Sequence, residues 1–249
     1  MNFFKLILVF LITTKLFAIA DNPDYLIIDK DTVRIQSDPL KDYFKNHPIP
    51  ENIRTSLSNA NWRGYFAYFK LVGDKLVVEN IYTEEYKTDE KGNVSFFQVS
   101  IYEDIFGKES NFQCDFYSGL LICVFGDVVD YGRLGYSSLY EKYNLIEIKN
   151  GLNVKSKELT TEEFKKFRKN YFRYFKDTEE YKTRFNQFKE MGFGPQYNNS
   201  IFLIINPGIG RENKALKKKE NEFKIEKQID ALMFSISNDF MKTIEIPIN

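Results

Sequence analysis

The chain carries few side chains of the types that catalyse reactions or bind metals. Its 249 residues include one histidine, His47, and two cysteines, Cys114 and Cys123. A zinc site built from protein ligands alone, or a haem motif, needs more His and Cys than this. A Ser-His-Asp or Cys-His site would have to use His47. We therefore expect no metal and no cofactor, and we assign no catalytic residue.

Carboxylates are abundant in the chain, and they can catalyse some reactions without a histidine or a metal. It has 35 Asp and Glu against 35 Lys and Arg, and aromatic residues make up 16% of it. Two carboxylates with aromatic platforms suffice for glycoside hydrolysis without a histidine. The balanced charge argues against a nucleic-acid partner, because a surface that follows phosphates usually carries a basic excess.

A first candidate binding surface contains Trp62, Arg63 and Tyr65. Aromatic rings and a guanidinium group can stack on a partner protein or a glycan. In the alternative interpretation Trp62 and Tyr65 fill the core, and Arg63 pairs with a carboxylate such as Asp115 or Glu141.

A second candidate binding surface is a connection rich in tyrosine and glycine. Its members are Tyr131, Arg133, Tyr136 and Glu141. Glycine permits unusual backbone geometry, and loops often carry binding residues. A structural role is the alternative here too.

The first twenty residues have the composition of a secretion signal. A basic start ending at Lys5 precedes an apolar run from Leu6 to Ile12, and Ala18 and Ala20 are the small residues that signal peptidase requires. The alternative is a membrane anchor, but the run is too short to span a bilayer and a lysine interrupts the segment. We expect residues 1–20 to be removed and the mature protein to be periplasmic or secreted, with no integral membrane span.

Export would place the two cysteines in an oxidising compartment, where disulfides persist. β-rich runs flank Ser118-Gly119, and a two-residue turn there would set Cys114 opposite Cys123 in a non-hydrogen-bonded pair. The Cα atoms of such a pair are about 4.5 Å apart, which is within disulfide range. The sequence therefore predicts a disulfide, with two buried free thiols as the alternative.

These residues must be positioned by a chain that is mostly β-structure at first and helical later. Turn dipeptides such as Gly73-Asp74 and Asn150-Gly151 predict about nine short strands, joined mainly as antiparallel hairpins. Asp38 is predicted to be the N-cap of a short helix between the second and third strands.

The composition changes after Lys157. Thr160 and Glu163 have the spacing of a capping box, and aromatic residues then recur at helical spacing. We therefore predict an α+β fold with a β-rich domain over residues 21–157. The helical extension over residues 158–249 packs on that domain or forms a second small domain.

Several ordered motifs resemble those of a family of small uncharacterised bacterial proteins. The motifs are Trp-Arg-Gly-Tyr at 62–65, Asp-Phe-Tyr-Ser-Gly at 115–119 and Gly-Tyr-Ser-Ser-Leu-Tyr-Glu at 135–141. The resemblance covers residues 24–156. Phe116 stands where the family usually has Trp, and Arg133 stands where a His is common. The family has no established activity, so the resemblance implies a shared fold and no chemistry.

Two functional hypotheses follow. The first is a non-catalytic exported protein that docks or neutralises another protein, and the second is a carboxylate-dependent glycan hydrolase. The expected partner is accordingly another protein or a cell-envelope glycan.

Overall fold

The structure is a computed structural model, and it describes residues 22–51, 53, 63–108, 110–132, 137–190 and 217–247. The predicted signal at residues 1–20 lies outside the described residues, as do Trp62, Arg133 and Tyr136.

Within the described residues the chain forms nine strands and five helices, so the predicted α+β class is confirmed. The strands are β1 (Asp24–Ile28), β2 (Asp31–Ile35), β3 (Phe66–Val72), β4 (Lys75–Thr88), β5 (Val94–Ser100), β6 (Phe112–Gln113), β7 (Gly119–Asp130), β8 (Leu139–Lys149) and β9 (Leu152–Thr160). The helices are α1 (Lys41–Asn46), α2 (Tyr102–Phe106), α3 (Thr161–Lys176), α4 (Glu179–Glu190) and α5 (Lys217–Ser235), and a 3₁₀ turn (Ser237–Phe240) follows α5.

The nine strands form one mixed sheet in which only the β1–β3 pairing, among the described strands, is parallel. The order is β3-β1-β2-β7-β8-β9-β4-β5, and β3 also pairs with β4. The first seven strands in this order, from β3 to β4, therefore close into a ring. Within the ring, β4 and β9 are joined by one residue pair, Lys75 with Leu152. β5 and β6 pair with β4 and are not members of the ring.

The hairpin turns expected at Gly73-Asp74 and Asn150-Gly151 are confirmed. Asn150 and Gly151 have φ angles of 46° and 74°, and positive φ at both central residues defines a type I′ turn. A Cβ on Gly151 would lie 2.7 Å from the carbonyl oxygen of Cys114. Position 151 therefore requires glycine for two reasons, its positive φ angle and the lack of space for a Cβ.

The central strands β7 and β8 are buried on both faces because they separate two cores. On one face Leu121 and Ile146 join the residues that line the ring. On the other face Leu120, Ile122 and Leu145 pack against the helices. A strand covered on both sides needs no polar alternation, which explains the unbroken apolar run in β7.

Helix α3 packs on the outer face of β7 and β8. It begins at the predicted capping box, in which the Glu163 N–H donates to Thr160 Oγ1 at 3.3 Å and the Thr160 N–H donates to Glu163 Oε2 at 2.8 Å. One turn later Phe164 stacks on Tyr143 of β8, with ring centroids 3.8 Å apart. The helical part of the chain is thus joined to the sheet by aromatic packing.

In the described part of the chain no helix has the length and hydropathy needed to span a membrane.

The predicted disulfide is wrong, because Cys114 and Cys123 are both free buried thiols in this structure. The strand before the turn does not pair with the strand after it. β6 pairs with β4, and the Cys114 N–H donates to the Leu76 carbonyl at 2.9 Å. Cys123 instead lies opposite Asn144 of β8.

The segment 114–118 does contain a turn, but that turn carries the chain to a different part of the sheet. The Tyr117 N–H donates to the Cys114 carbonyl at 2.9 Å, and the Gly151 N–H donates to the Tyr117 carbonyl at 3.0 Å. The turn residues are therefore held by the β8–β9 hairpin, and β7 enters the sheet between β2 and β8.

Candidate functional site

The sequence-predicted residue Arg63 lies at the centre of a buried charge cluster. Asp24 begins β1, and Arg63 precedes the parallel neighbour β3, so the two residues meet at one end of that strand pair. Arg63 Nη1 lies 3.1 Å from Asp24 Oδ2 and 3.0 Å from Asp38 Oδ1. Its Nη2 donates to the Asn22 carbonyl at 2.8 Å. One guanidinium group therefore joins two carboxylates and the backbone before β1.

Burial sets the electrostatics of this cluster. Asp24 is 0% exposed, and this desolvation raises its pKa to about 6 against the opposing influence of Arg63. The Ala67 N–H also donates to Asp24 Oδ1, at 2.8 Å. The Tyr65 hydroxyl donates to Asp38 Oδ1 at 3.3 Å, and burial raises the pKa of Tyr65 well above its ordinary value.

These contacts agree in kind with the alternative interpretation of the first candidate surface, in which Tyr65 is buried and Arg63 pairs with acids. The expected partners of Arg63 were wrong, however. Asp115 lies exposed in the turn after β6, and Glu141 lies exposed on β8 beside Gly126. Asp24 and Asp38 could not be predicted as partners of Arg63, because they are distant from it in the sequence. Local patterns do not predict the β1–β3 contact.

Asp38 is also not the helix N-cap that the sequence predicted. Helix α1 begins at Lys41 with Leu40 as its N-cap residue, and no side chain caps it. The Asp38 carboxylate contacts Arg63 and Tyr65 instead. A buried charge has more to gain from a cation than from one backbone N–H.

A cavity of about 170 Å³ lies beside Asp38, where α1, the start of α4 and the segment after the 3₁₀ turn meet. Its lining holds four carboxylates and four basic side chains. Lys41 Nζ lies 2.6 Å from Asp239 Oδ2, and Arg184 Nη2 lies 2.9 Å from Glu180 Oε1. This balanced lining gives the cavity no strong preference for an anion or a cation.

Asp24 does not have the access that a general acid acting on a glycan requires. A general acid must reach the glycosidic oxygen, whereas Asp24 is fully buried and already accepts hydrogen bonds from Arg63 and Ala67. Among the described residues, no group of three or more His, Cys, Asp or Glu side chains is placed to hold a metal ion. The geometry is that of a structural ion cluster.

The second candidate surface lies at the end of the β7–β8 strand pair. We name residues 126–132 and 137–142 the Tyr131 surface. The Tyr131 side chain is 75% exposed and that of Val129 is 52% exposed. The predicted residues Arg133 and Tyr136 belong to the same connection but lie outside the described residues.

The backbone of the Tyr131 surface is held in place by hydrogen bonds. The Gly132 N–H donates to Ser138 Oγ at 3.0 Å, and Gln36 Nε2 donates to the Ser138 carbonyl at 2.9 Å. A Cβ on Gly132 would lie 2.0 Å from Ser137 Oγ, so the two sides of the connection meet closely. Tyr131 therefore projects from a fixed base.

Charged residues accompany the exposed tyrosine. The Tyr131 surface includes the exposed carboxylates Asp127, Asp130 and Glu141 and one exposed lysine, Lys142. Exposed apolar side chains, Tyr131 and Val129, and exposed charged ones thus occur in the same segments, and protein-binding surfaces combine both kinds.

A third exposed feature, the β4–β5 hairpin, was missed as a functional surface by the sequence analysis. Phe96 is 71% exposed and Tyr86 is 64% exposed, and the two lie opposite each other on adjacent strands. Local sequence could not reveal this exposure, because β5 alternates polar and apolar residues as a half-buried strand does, except at Phe96-Phe97.

No protein-family model matches this chain, and neither a curated protein nor a solved structure matches it significantly. The resemblance of residues 24–156 to an uncharacterised bacterial family therefore stays a prediction.

Proposed function

We propose that this chain is an exported, non-catalytic protein that docks another protein through the Tyr131 surface. The observation that carries the proposal is a 75% exposed tyrosine on a hydrogen-bonded base. Aromatic side chains supply much of the binding energy of protein interfaces. Because the backbone beside Tyr131 is already held, mainly the side chain has to be ordered on binding.

The charges of the Tyr131 surface specify the partner further. Three exposed carboxylates accompany one exposed lysine among its described residues, and the sequence of the connection adds one further cation, Arg133. Such a surface is complementary to a basic patch, and complementary charge mainly speeds association and selects between partners. We propose a partner whose docking site has an apolar pocket with basic residues at its edge.

Export remains part of the proposal and has its own test. The supporting feature is the Ala18-Ile19-Ala20 sequence before Asp21. N-terminal sequencing of the protein recovered outside the cytoplasm should begin at Asp21, and a retained Met1 contradicts this.

Capture of partners tests the docking surface. The purified protein, Tyr131→Ala and the matched control Tyr86→Ala are each immobilised and exposed to extracytoplasmic extract from the source cells. We expect one bound protein to be lost with Tyr131→Ala and retained with Tyr86→Ala, since both tyrosines are exposed. Binding should weaken with added salt and with Asp130→Lys. Equal capture by all variants contradicts the proposal.

Glycan hydrolysis is the second candidate function, favoured by the raised pKa of Asp24 next to Asp38. The full burial of Asp24 opposes it. Release of reducing sugar from cell-envelope glycan that is abolished by both Asp24→Asn and Asp38→Asn, with both variants folded, would favour this function over docking.

A further inference from the structure

The outer edge of β5 has no strand beside it among the described residues. β5 runs from Val94 to Ser100 and pairs with β4 on one side. Its sequence, Val-Ser-Phe-Phe-Gln-Val-Ser, contains no charge, proline or glycine. Natural edge strands are usually protected by one of these features or by a covering element. An unprotected edge of seven residues is therefore expected to be covered in the working protein.

The hairpin hydrogen bonds show which backbone groups face this edge. The Asp89 N–H donates to the Asn93 carbonyl at 2.9 Å, and the Ile101 N–H donates to the Ile81 carbonyl at 3.0 Å. Both pairs belong to the register in which Tyr86 lies opposite Phe96. Because hydrogen-bonded pairs alternate along an antiparallel ladder, residues 95, 97 and 99 point their backbone groups at β4. The N–H and C=O groups of residues 94, 96 and 98 therefore point outward.

The exposed side chains lie on the matching face. Phe96 and Tyr86 are a cross-strand pair with ring centroids 6.5 Å apart, and Val94 is 50% exposed. The tip of the hairpin is fixed, since Asp89 accepts hydrogen bonds from the N–H groups of Lys91 and Asn93 at 2.9 and 2.8 Å. The hairpin therefore offers an ordered edge beside an apolar face.

We propose that β5 pairs with β5 of a second copy of this chain, antiparallel and with Phe96 opposite Phe96. In this register residue 94 lies opposite residue 98 of the other copy, and the outward N–H and C=O groups of both strands form six hydrogen bonds. Directly opposed residues share a face of a sheet. The two Phe96 rings therefore meet and extend each Tyr86–Phe96 pair into a row of four rings.

Charge and symmetry favour a second copy over a different partner. A strand without charge can lie beside its own copy without repulsion, and a two-fold axis at Phe96 satisfies the same groups on both chains, as a closed dimer requires. The contact involves two short strands and four rings, which places it at the small end of specific interfaces. We therefore expect a dissociation constant of about 10⁻⁶ to 10⁻⁴ M. This dimer is independent of the Tyr131 surface.

Charge substitution at the two-fold axis tests the register. Sedimentation equilibrium of the purified protein should show a monomer–dimer equilibrium across the micromolar range. Phe96→Lys and Phe96→Glu should each weaken dimerisation by at least about tenfold, because like charges then face each other. Mixing the two variants should restore dimers. Tyr131→Lys is the control with an equally exposed aromatic residue and should dimerise normally. A wild-type protein that stays monomeric overturns the proposal, as does dimerisation that Phe96→Lys leaves unchanged.

Cross-linking gives a second measurement that does not depend on loss of binding. A hydrogen-bonded antiparallel pair has Cα atoms about 5.5 Å apart, within disulfide range, and the two native cysteines are buried. Phe96→Cys should oxidise to a covalent dimer, whereas Gln98→Cys alone should not. A mixture of Val94→Cys and Gln98→Cys should cross-link. Cross-linking of Gln98→Cys to itself in preference to Phe96→Cys contradicts the register, and failure of the Tyr131 surface to capture a partner would leave this result unaffected.

Discussion

Arg63 donates hydrogen bonds to Asp24 at the start of the parallel β1–β3 pair, and the two side chains are 6% and 0% exposed. An ion pair removed from water in this way stabilises a fold only as long as both members are present, because either one alone is a buried uncompensated charge. The same guanidinium also contacts Asp38 in the segment before α1. Arg63 therefore links three separate segments of the β-rich part of the chain.

Arg63→Met should lower the free energy of unfolding by about 3–5 kcal/mol, because it leaves two carboxylates without their cation. Urea unfolding followed by circular dichroism measures this. Lys165→Met is the control, since the Lys165–Glu162 pair is exposed and should contribute about 0–1 kcal/mol. Equal effects of the two substitutions would mean that the Arg63 cluster is not formed in solution.

The contribution of Asp24 to stability should fall as the pH rises from about 4 to about 6. Its pKa is about 6 in the folded protein against an ordinary value of 3.8. Between these two values the folded protein keeps a proton that the unfolded chain has lost, so each rise in pH favours unfolding. The total loss is about 3 kcal/mol for a shift of about two units.

Asp24→Asn isolates this contribution, since the amide cannot titrate. The groups facing Asp24 are Arg63, Asp38 and Tyr65, and they stay in place in the variant. The difference in unfolding free energy between wild type and variant should therefore change between pH 4 and pH 6 and be flat from pH 7 to pH 8. A difference that does not vary with pH would show that Asp24 titrates normally.

Arg168 of α3 binds the C-terminal end of α5. It is buried, its Nε donates to Ser237 Oγ at 3.0 Å, and its Nη2 donates to the carbonyls of Phe234 and Ser235 at 2.7 and 3.1 Å. Burial lowers its pKa to about 10. The helix C-terminal carbonyls carry partial negative charge, which compensates the cation.

Arg168→Met should therefore lower the free energy of unfolding by about 2–4 kcal/mol, because buried carbonyl and hydroxyl groups lose their donors. Arg168→Lys should recover part of this, since an ammonium group cannot reproduce the planar fork of Arg. Arg173→Met, at an exposed position of the same helix, should cost less than about 0.5 kcal/mol. Thermal and urea unfolding should both show the largest loss of stability for Arg168→Met, a smaller loss for Arg168→Lys and the smallest for Arg173→Met.

Local signals in the sequence were sufficient for the β3–β4 and β8–β9 hairpins and for the capping box of α3. Asn150-Gly151 and the Thr160–Glu163 box each act within a few residues, and the structure contains both. The ring closure could not be predicted in this way. It depends on the parallel β1–β3 contact and on Lys75 meeting Leu152, and such contacts between distant residues leave no local pattern.

The same limit explains the errors at the candidate site. Arg63 was identified as a residue that needs a carboxylate, but Asp24 and Asp38 are brought to it by the sheet topology. The exposure of the Tyr86–Phe96 pair was missed, because it depends on which neighbours the β4–β5 hairpin has in three dimensions. The sequence thus indicated that Arg63 could pair with a carboxylate, but it did not indicate which carboxylate.

The state of the cysteines gives a direct test of the topology around β6 and β7. The disulfide prediction assumed that residues 112–117 fold back on β7, whereas β6 pairs with β4 in the structure. Burial raises the pKa of Cys123 to about 12, and burial raises that of Cys114 still further. Since the thiolate is the reactive form, neither cysteine should react with a thiol reagent in the folded protein. In denaturant without reductant both should react, giving two labels per chain, and Cys114→Ala should give one. Two labels that appear only after reduction would show a disulfide and would require β6 and β7 to pair differently from the arrangement described.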